Sequence, residues 1–239
     1  MEQMAEHTVR SYAEELRRLR EMIARMGGLA ERQVADSTTA LMRRDTDLAT
    51  EVVQRDVALD ALEKEIENFC IRLLALRQPV GQDLRLIIGS LKISHDLERI
   101  GDYARNGAKR AIVLAQQPQL GSLNGFLRMA GLVQENLKGA IDALVNDDAA
   151  RADEVWAADE PVDEIYNGIF REMLTFMLED PRNITSATHL LFVAKNLERI
   201  GDHATNIAET VQYAVRGEST AEDRPKADSS AYAVVRPPS

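Results

Sequence analysis

One cysteine, Cys70, is present in the whole chain, so an intramolecular disulfide is excluded. It falls on an apolar helical stretch, where a buried, inert thiol is expected, and a reducing compartment suits it. Aromatic residues are scarce at 5%, while Ala, Leu, Glu and Arg abound, which is the composition of long packed helices rather than of sheets. No apolar run approaches the roughly 20 residues a membrane helix needs. Met1 to Arg20 is charged throughout, so neither a secretory signal nor an anchor is read there. Basic residues are outnumbered 29 to 39, and a net charge of −10 argues against nucleic acid as principal partner, because displacing phosphate counterions needs a basic surface. A Gly-rich phosphate loop, a Ser/His/Asp arrangement, a cysteine pair and a Glu-x-x-His step are all missing, and a non-enzyme is expected. The composition predicts a soluble, cytoplasmic, all-α protein that attracts cations.

What is present is a repeat. Leu97-Glu98-Arg99-Ile100-Gly101-Asp102 returns unchanged as Leu197-Glu198-Arg199-Ile200-Gly201-Asp202, 100 residues later. Leu91, Ala104, Asn106 and Ala108 also recur at that offset, whereas His95, Asp96 and Tyr103 meet Lys195, Asn196 and His203. Two copies of one structural unit are implied.

Prolines punctuate the helical pattern, and six helices are predicted at about 7–44, 46–77, 82–116, 123–147, 150–179 and 184–216. Gly27-Gly28 is a candidate bend in the first, and Pro161 a kink or a true start in the fifth. Apolar stripes at three- and four-residue steps support two of these helices directly. One runs through Leu59, Leu62, Ile66, Phe69, Leu73 and Leu76, the other through Leu190, Val193, Leu197, Ile200, Ala204, Ile207 and Val211. The reading is two tandem three-helix bundles, 1–117 and 118–217, followed by a disordered polar tail, 218–239, that contains Tyr232.

Acids at i and i+4 share a helix face, so Glu98/Asp102 and Glu198/Asp202 can each offer oxygens to one ion. Alone the spacing is weak, since about six such pairs arise by chance among so many acids. Glu2/Glu6, Glu63/Glu67 and Glu218/Glu222 read as incidental. The preceding helix of each copy, however, carries Asp56/Asp60 or Asp159/Asp163. If these helices are antiparallel about Pro79, Asp60 and Glu98 are equidistant from the turn, as are Asp56 and Asp102. Asp163/Glu198 and Asp159/Asp202 are likewise symmetric about the step from Asp180 to Pro181. At about 100° per residue each acid lies roughly 60° to 140° round from the apolar stripe, always in the same sense. Two four-carboxylate rims are therefore predicted: Asp56, Asp60, Glu98 and Asp102, then Asp159, Asp163, Glu198 and Asp202. All-oxygen sites suit hard divalent ions, Mg²⁺, Mn²⁺, Ca²⁺ or Fe²⁺. Zinc is less favoured because no histidine recurs; His95 reads as surface polar and His203 as unremarkable. Arg99 and Arg199 read as helix-face partners of the acids. Gly101 and Gly201 read as points of close helix packing.

These motifs and the duplicated three-helix unit resemble the PhoU family of phosphate-signalling regulators, over roughly residues 7 to 216. The resemblance implies a cytoplasmic adaptor, often a homodimer, that links a phosphate ABC transporter ATPase to a sensor histidine kinase and represses the phosphate-starvation response. Its contact with the membrane would be indirect, through those partners. An accessory protein of a low-affinity phosphate permease and a carboxylate-bridged metalloenzyme are the competing readings.

Overall fold

In a computed structural model of the protein, residues 2–218 are described, with side chains from residue 10 onward. The predicted disordered tail, Tyr232 included, lies outside them from residue 219. The helices are α1 (Glu2–Arg43), α2 (Thr46–Arg55), α3 (Val57–Arg77), α4 (Gly81–Leu114), α5 (Asn124–Asn146), α6 (Ala149–Ala157), α7 (Glu160–Glu179) and α8 (Ile184–Arg216), with a short 3-10 turn at Pro181–Asn183. No strand occurs among the described residues. The fold is all-α, two tandem three-helix bundles built as α1, α2/α3, α4 and α5, α6/α7, α8.

The middle helix of each bundle departs from expectation, because each is broken into two. One break falls at Asp56, which ends α2 and precedes α3 with helical dihedrals (φ −55°, ψ −36°) and makes no side-chain cap. The other falls at Ala158 and Asp159, where Pro161, lacking an N–H, stands in the first turn of α7. Pro161 thus marks a start. The breaks are equivalent, as are the caps that open these segments: Asp45 accepts from the Asp47 and Leu48 amides, and Asp148 from the Arg151 amide. Asp45 and Asp148, like Asp56 and Asp159, are 103 residues apart. The second hairpin is therefore three residues shorter than the first. No bend breaks α1 at Gly27-Gly28, which sits within continuous helix.

The predicted stripes face the core, except that Leu76, in the last turn of α3, is 72% exposed. Cys70 is fully buried, and that burial pushes its thiol up to about 12. One apolar cluster runs through both bundles, joined where α4 packs antiparallel on α8. Along this seam Arg85 Nε donates to the Ala214 carbonyl and Asp96 Oδ1 lies 2.7 Å from His203 Nδ1. Further along, the Arg110 guanidinium stacks 4.1 Å from the Phe192 ring centre. Pairings that run in opposite directions while the two sequences repeat amount to a local pseudo-twofold axis through the paired hexapeptides.

The two hexapeptide glycines pack unequally. A Cβ on Gly101 would overlap Leu59 Cδ1, and Leu59 is itself buried in the core, whereas one on Gly201 would meet Val162 at an ordinary 3.5 Å. Gly201→Ala should therefore stabilise by roughly 0.5–1 kcal/mol through helix propensity. Gly101→Ala should cost about 1–2 kcal/mol through overpacking. Urea denaturation of the two variants checks this contrast; equal shifts would contradict it.

Candidate metal centres

Each rim is assembled from a helix break and a hairpin. In bundle one, Asp56 is delivered by the break between α2 and α3, Asp60 by the first turn of α3, and Glu98 and Asp102 by α4. Because the α2/α3 junction keeps helical dihedrals, Asp56 stays on the same face as Asp60. Its carboxylate turns inward to 2% exposure, where Gln33 Nε2 donates to Oδ1 at 2.7 Å and also to the Gly101 carbonyl at 3.2 Å. The missing Cβ of Gly101 leaves room for this approach. Burial pushes the Asp56 carboxyl above its ordinary range, and Asp60 and Asp102 add to this, while Gln33 and Arg105 oppose it. Burial likewise raises Glu98, reinforced by Asp102, Glu63 and Asp60. Asp60 and Asp102 thus act electrostatically on both Asp56 and Glu98.

A cation from the chain already serves one end of the rim. Arg105, one turn beyond Asp102, pairs with Asp56 through Nη1 and reaches Asp102 Oδ1 at 2.6 Å through Nη2. A guanidinium between two carboxylates does there what a metal ion would do. In bundle one the donor set fits an added ion at the Asp60/Glu98 end and not at the Asp56/Asp102 end.

In bundle two the acids are more deeply buried: Asp159, Asp163 and Glu198 are 3%, 4% and 7% exposed. Thr205 takes the place of Arg105, and its hydroxyl donates to Asp159 Oδ1 at 3.4 Å. Burial raises the Glu198 carboxyl, with Asp202 and Asp163 adding to it and Lys195 opposing. Lys195 Nζ lies 2.8 Å from Glu198 Oε1, while Glu198 Oε2 is buried without a hydrogen-bond partner among the described residues. An orphaned carboxylate oxygen among acids is the kind of donor a hard cation satisfies. This rim fits a divalent ion.

Comparison with known proteins decides the family. The PhoU domain matches twice, over residues 23–111 and 126–211, one match within each bundle. The chain belongs to the PhoU family. It is 54% identical over 226 residues to the phosphate-specific transport system accessory protein PhoU homolog of Caulobacter vibrioides, covering 94% of this chain and 98% of that one. The homolog of the same name from Rhizobium meliloti is 47% identical, covering 93% and 94%. Among solved structures, PhoU from Pseudomonas aeruginosa superposes with a TM-score of 0.83 at 42% identity, covering 87% of this chain and 100% of that one. The phosphate transport system regulatory protein PhoU from Streptococcus pneumoniae gives 0.81 at 28%, covering 87% and 99%. These relatives are named as accessory or regulatory proteins, not as enzymes.

Within this PhoU chain, several side chains act otherwise than their sequence context suggests. Arg99 and Arg199 both turn to one residue, Tyr103, donating to its hydroxyl at 2.9 and 3.2 Å, although Arg99 also comes within 3.6 Å of Asp102. Burial raises the Tyr103 hydroxyl, but the Arg199 and Arg99 guanidiniums outweigh it and hold the group below its ordinary value. His203 pairs with Asp96 and stacks on Tyr103 with ring centres 5.6 Å apart. Of the positions where the two copies differ, Asp96, Tyr103 and His203 meet across their seam. His95 is exposed at the surface, as expected, and lies with Glu63 beside Glu98, one ligand atom of each within 4.8 Å of the others. Glu63 and His95 are equidistant from Pro79, so the mirror symmetry that paired the quartets also pairs them. Arg105 carried no repeat signal, since a threonine stands at its counterpart.

Proposed function

We propose that this PhoU-family chain is a metal-binding regulatory adaptor of phosphate uptake. It acts in the cytoplasm as a homodimer, linking a phosphate ABC transporter ATPase to a sensor histidine kinase and holding the starvation response down when phosphate is plentiful. The single observation that carries the metal part is the buried, unpartnered Glu198 Oε2 among Asp163 and Asp202. The names of the relatives, which place them in the phosphate-specific transport system, support the transport part. Hard divalent ions, Mg²⁺, Mn²⁺, Ca²⁺ or Fe²⁺, would be held by Asp159, Asp163, Glu198 and Asp202, and in bundle one by Asp60 and Glu98 beside the Arg105-bridged Asp56 and Asp102. When bound, such an ion supplies positive charge that ties together the two helices of each hairpin. The residues of the chain supply the remainder: Gln33 and Arg105 hold Asp56, and Lys195 orients Glu198. No helix among the described residues is long and apolar enough to cross a membrane, so contact with a transporter would run through its cytoplasmic subunit.

Asp102→Ala with Asp202→Ala should lower bound Mn²⁺ per chain while leaving helix content intact. Metal analysis after dialysis and far-UV circular dichroism measure the two quantities; unchanged stoichiometry refutes the metal assignment. Co-purification with the transporter ATPase and with the kinase tests the adaptor assignment, and failure to retain either would refute it.

A further inference from the structure

Bundle one holds a cluster that its acid quartet does not explain. Glu63 on α3 and His95 and Glu98 on α4 bring one ligand atom each within 4.8 Å of one another. His95 Nδ1 lies 3.3 Å from Glu63 Oε1, and the His95 side chain is 66% exposed, so an ion could reach it from solvent. Glu63 is one turn beyond Asp60, and His95 one turn before Glu98, which moves the cluster along the rim towards the hairpin. Ligand atoms about 2.1 Å from a shared tetrahedral ion stand roughly 3.4 Å apart, a closure within the reach of the exposed His95 side chain changing rotamer.

The same place in bundle two offers an independent observation. There Lys195 replaces His95 and Tyr166 replaces Glu63. The Lys195 ammonium lies 2.8 Å from Glu198 Oε1 and 4.8 Å from the centre of the Tyr166 ring. One copy of the unit thus seats a cation of its own against the hexapeptide glutamate. The other copy presents an imidazole and a second carboxylate at that spot. At the far end of the rim the roles reverse, with Arg105 filling bundle one and Thr205 standing in bundle two. Arg105 and Lys195 thus meet their acids at opposite ends of the two rims.

We propose that bundle one binds one borderline divalent transition ion, of the Zn²⁺ or Fe²⁺ class, through Glu63, His95 and Glu98. The imidazole sets this class, since a neutral ring nitrogen suits such ions better than Mg²⁺ or Ca²⁺. The proposal deepens the metal reading above and shares only Glu98 with the quartets. The test is isothermal titration of chelator-stripped protein with ZnCl₂ and, separately, with MgCl₂, together with NMR of the histidine rings. His95→Ala should weaken one Zn²⁺ event tenfold or more and leave the Mg²⁺ isotherm unchanged. His95→Lys, which copies bundle two, should remove the same event. The wild-type His95 ring signals should move on addition of one equivalent of Zn²⁺. A Zn²⁺ isotherm unaltered by His95→Ala, or ring signals that stay put, overturns this site without touching the quartets. Wild-type Mn²⁺ binding in the Asp102→Ala, Asp202→Ala protein overturns the quartets without touching this site.

Discussion

Arg105→Ala is expected to lose about 3–5 kcal/mol of stability in metal-free buffer at pH 7, the loss that follows when one partner of a buried ion pair is removed. The wild-type Asp56 carboxylate is 2% exposed and is held by Gln33 and Arg105. Truncating the arginine leaves a buried negative charge with one amide donor, beside Asp60 and Asp102, which already push its pKa up. The pH dependence has a definite sign. Asp56 has a folded-state pKa above its ordinary 3.8, so its contribution to stability is fully present below that value and lost as pH rises through the folded pKa. Removing Arg105, which opposes this shift, moves the folded pKa higher still. The deficit of the variant should then be largest at pH 7 and should shrink as pH falls towards 5. Adding Asp56→Asn should recover most of the loss, because an amide needs no countercharge. Urea denaturation of the single and double variants at both pH values measures all three effects; a deficit independent of pH, with no recovery in the double variant, would show that Arg105 acts by packing alone.

Glu198→Gln should change sign with the metal. In chelator the variant should be more stable than the wild type at pH 7. Burial, then Asp202 and Asp163, raise the Glu198 carboxyl, so its folded state gains stability as pH falls and forfeits it as pH rises through the raised pKa. Glutamine imitates the protonated form at every pH. Lys195, whose side chain is 31% exposed, can return to water when its partner loses charge. With Mn²⁺ in excess the order should reverse, because an ion at 100 times its Kd adds about 2.7 kcal/mol to a protein that binds it only when folded. The wild type should gain this increment in bundle two and the variant should not. Thermal unfolding with and without Mn²⁺ tests the crossing; parallel shifts of both proteins would place the ion elsewhere.

The mirrored acids were legible because antiparallel helices of equal rise turn equal sequence distance from a hairpin into equal height. That logic needed only the positions of Pro79 and Pro181 and the apolar stripes. It also pairs Glu63 with His95, but Glu63 reads along the chain as half of an incidental acid pair and His95 meets Lys195 in the second copy. Recurrence finds what both copies share and is blind to what one copy has changed. The helix break at Asp56 escaped for a different reason, whereas Pro161 signals the one at Ala158. Asp56 keeps helical dihedrals, so the apolar period continues through the break and only the hydrogen-bond ladder is interrupted.

Sequence by itself determined the helical class, the duplication, the inert Cys70 and the acids that share each rim, since all of these follow from composition and from the 3.6-residue period. Tertiary structure decided which cation answers each acid. Arg105 reaches Asp56 across 49 positions, and Arg199 reaches Tyr103 across 96. Charge pairing of that range depends on how α4 lies against its neighbours, a distance in space that no spacing along one helix encodes.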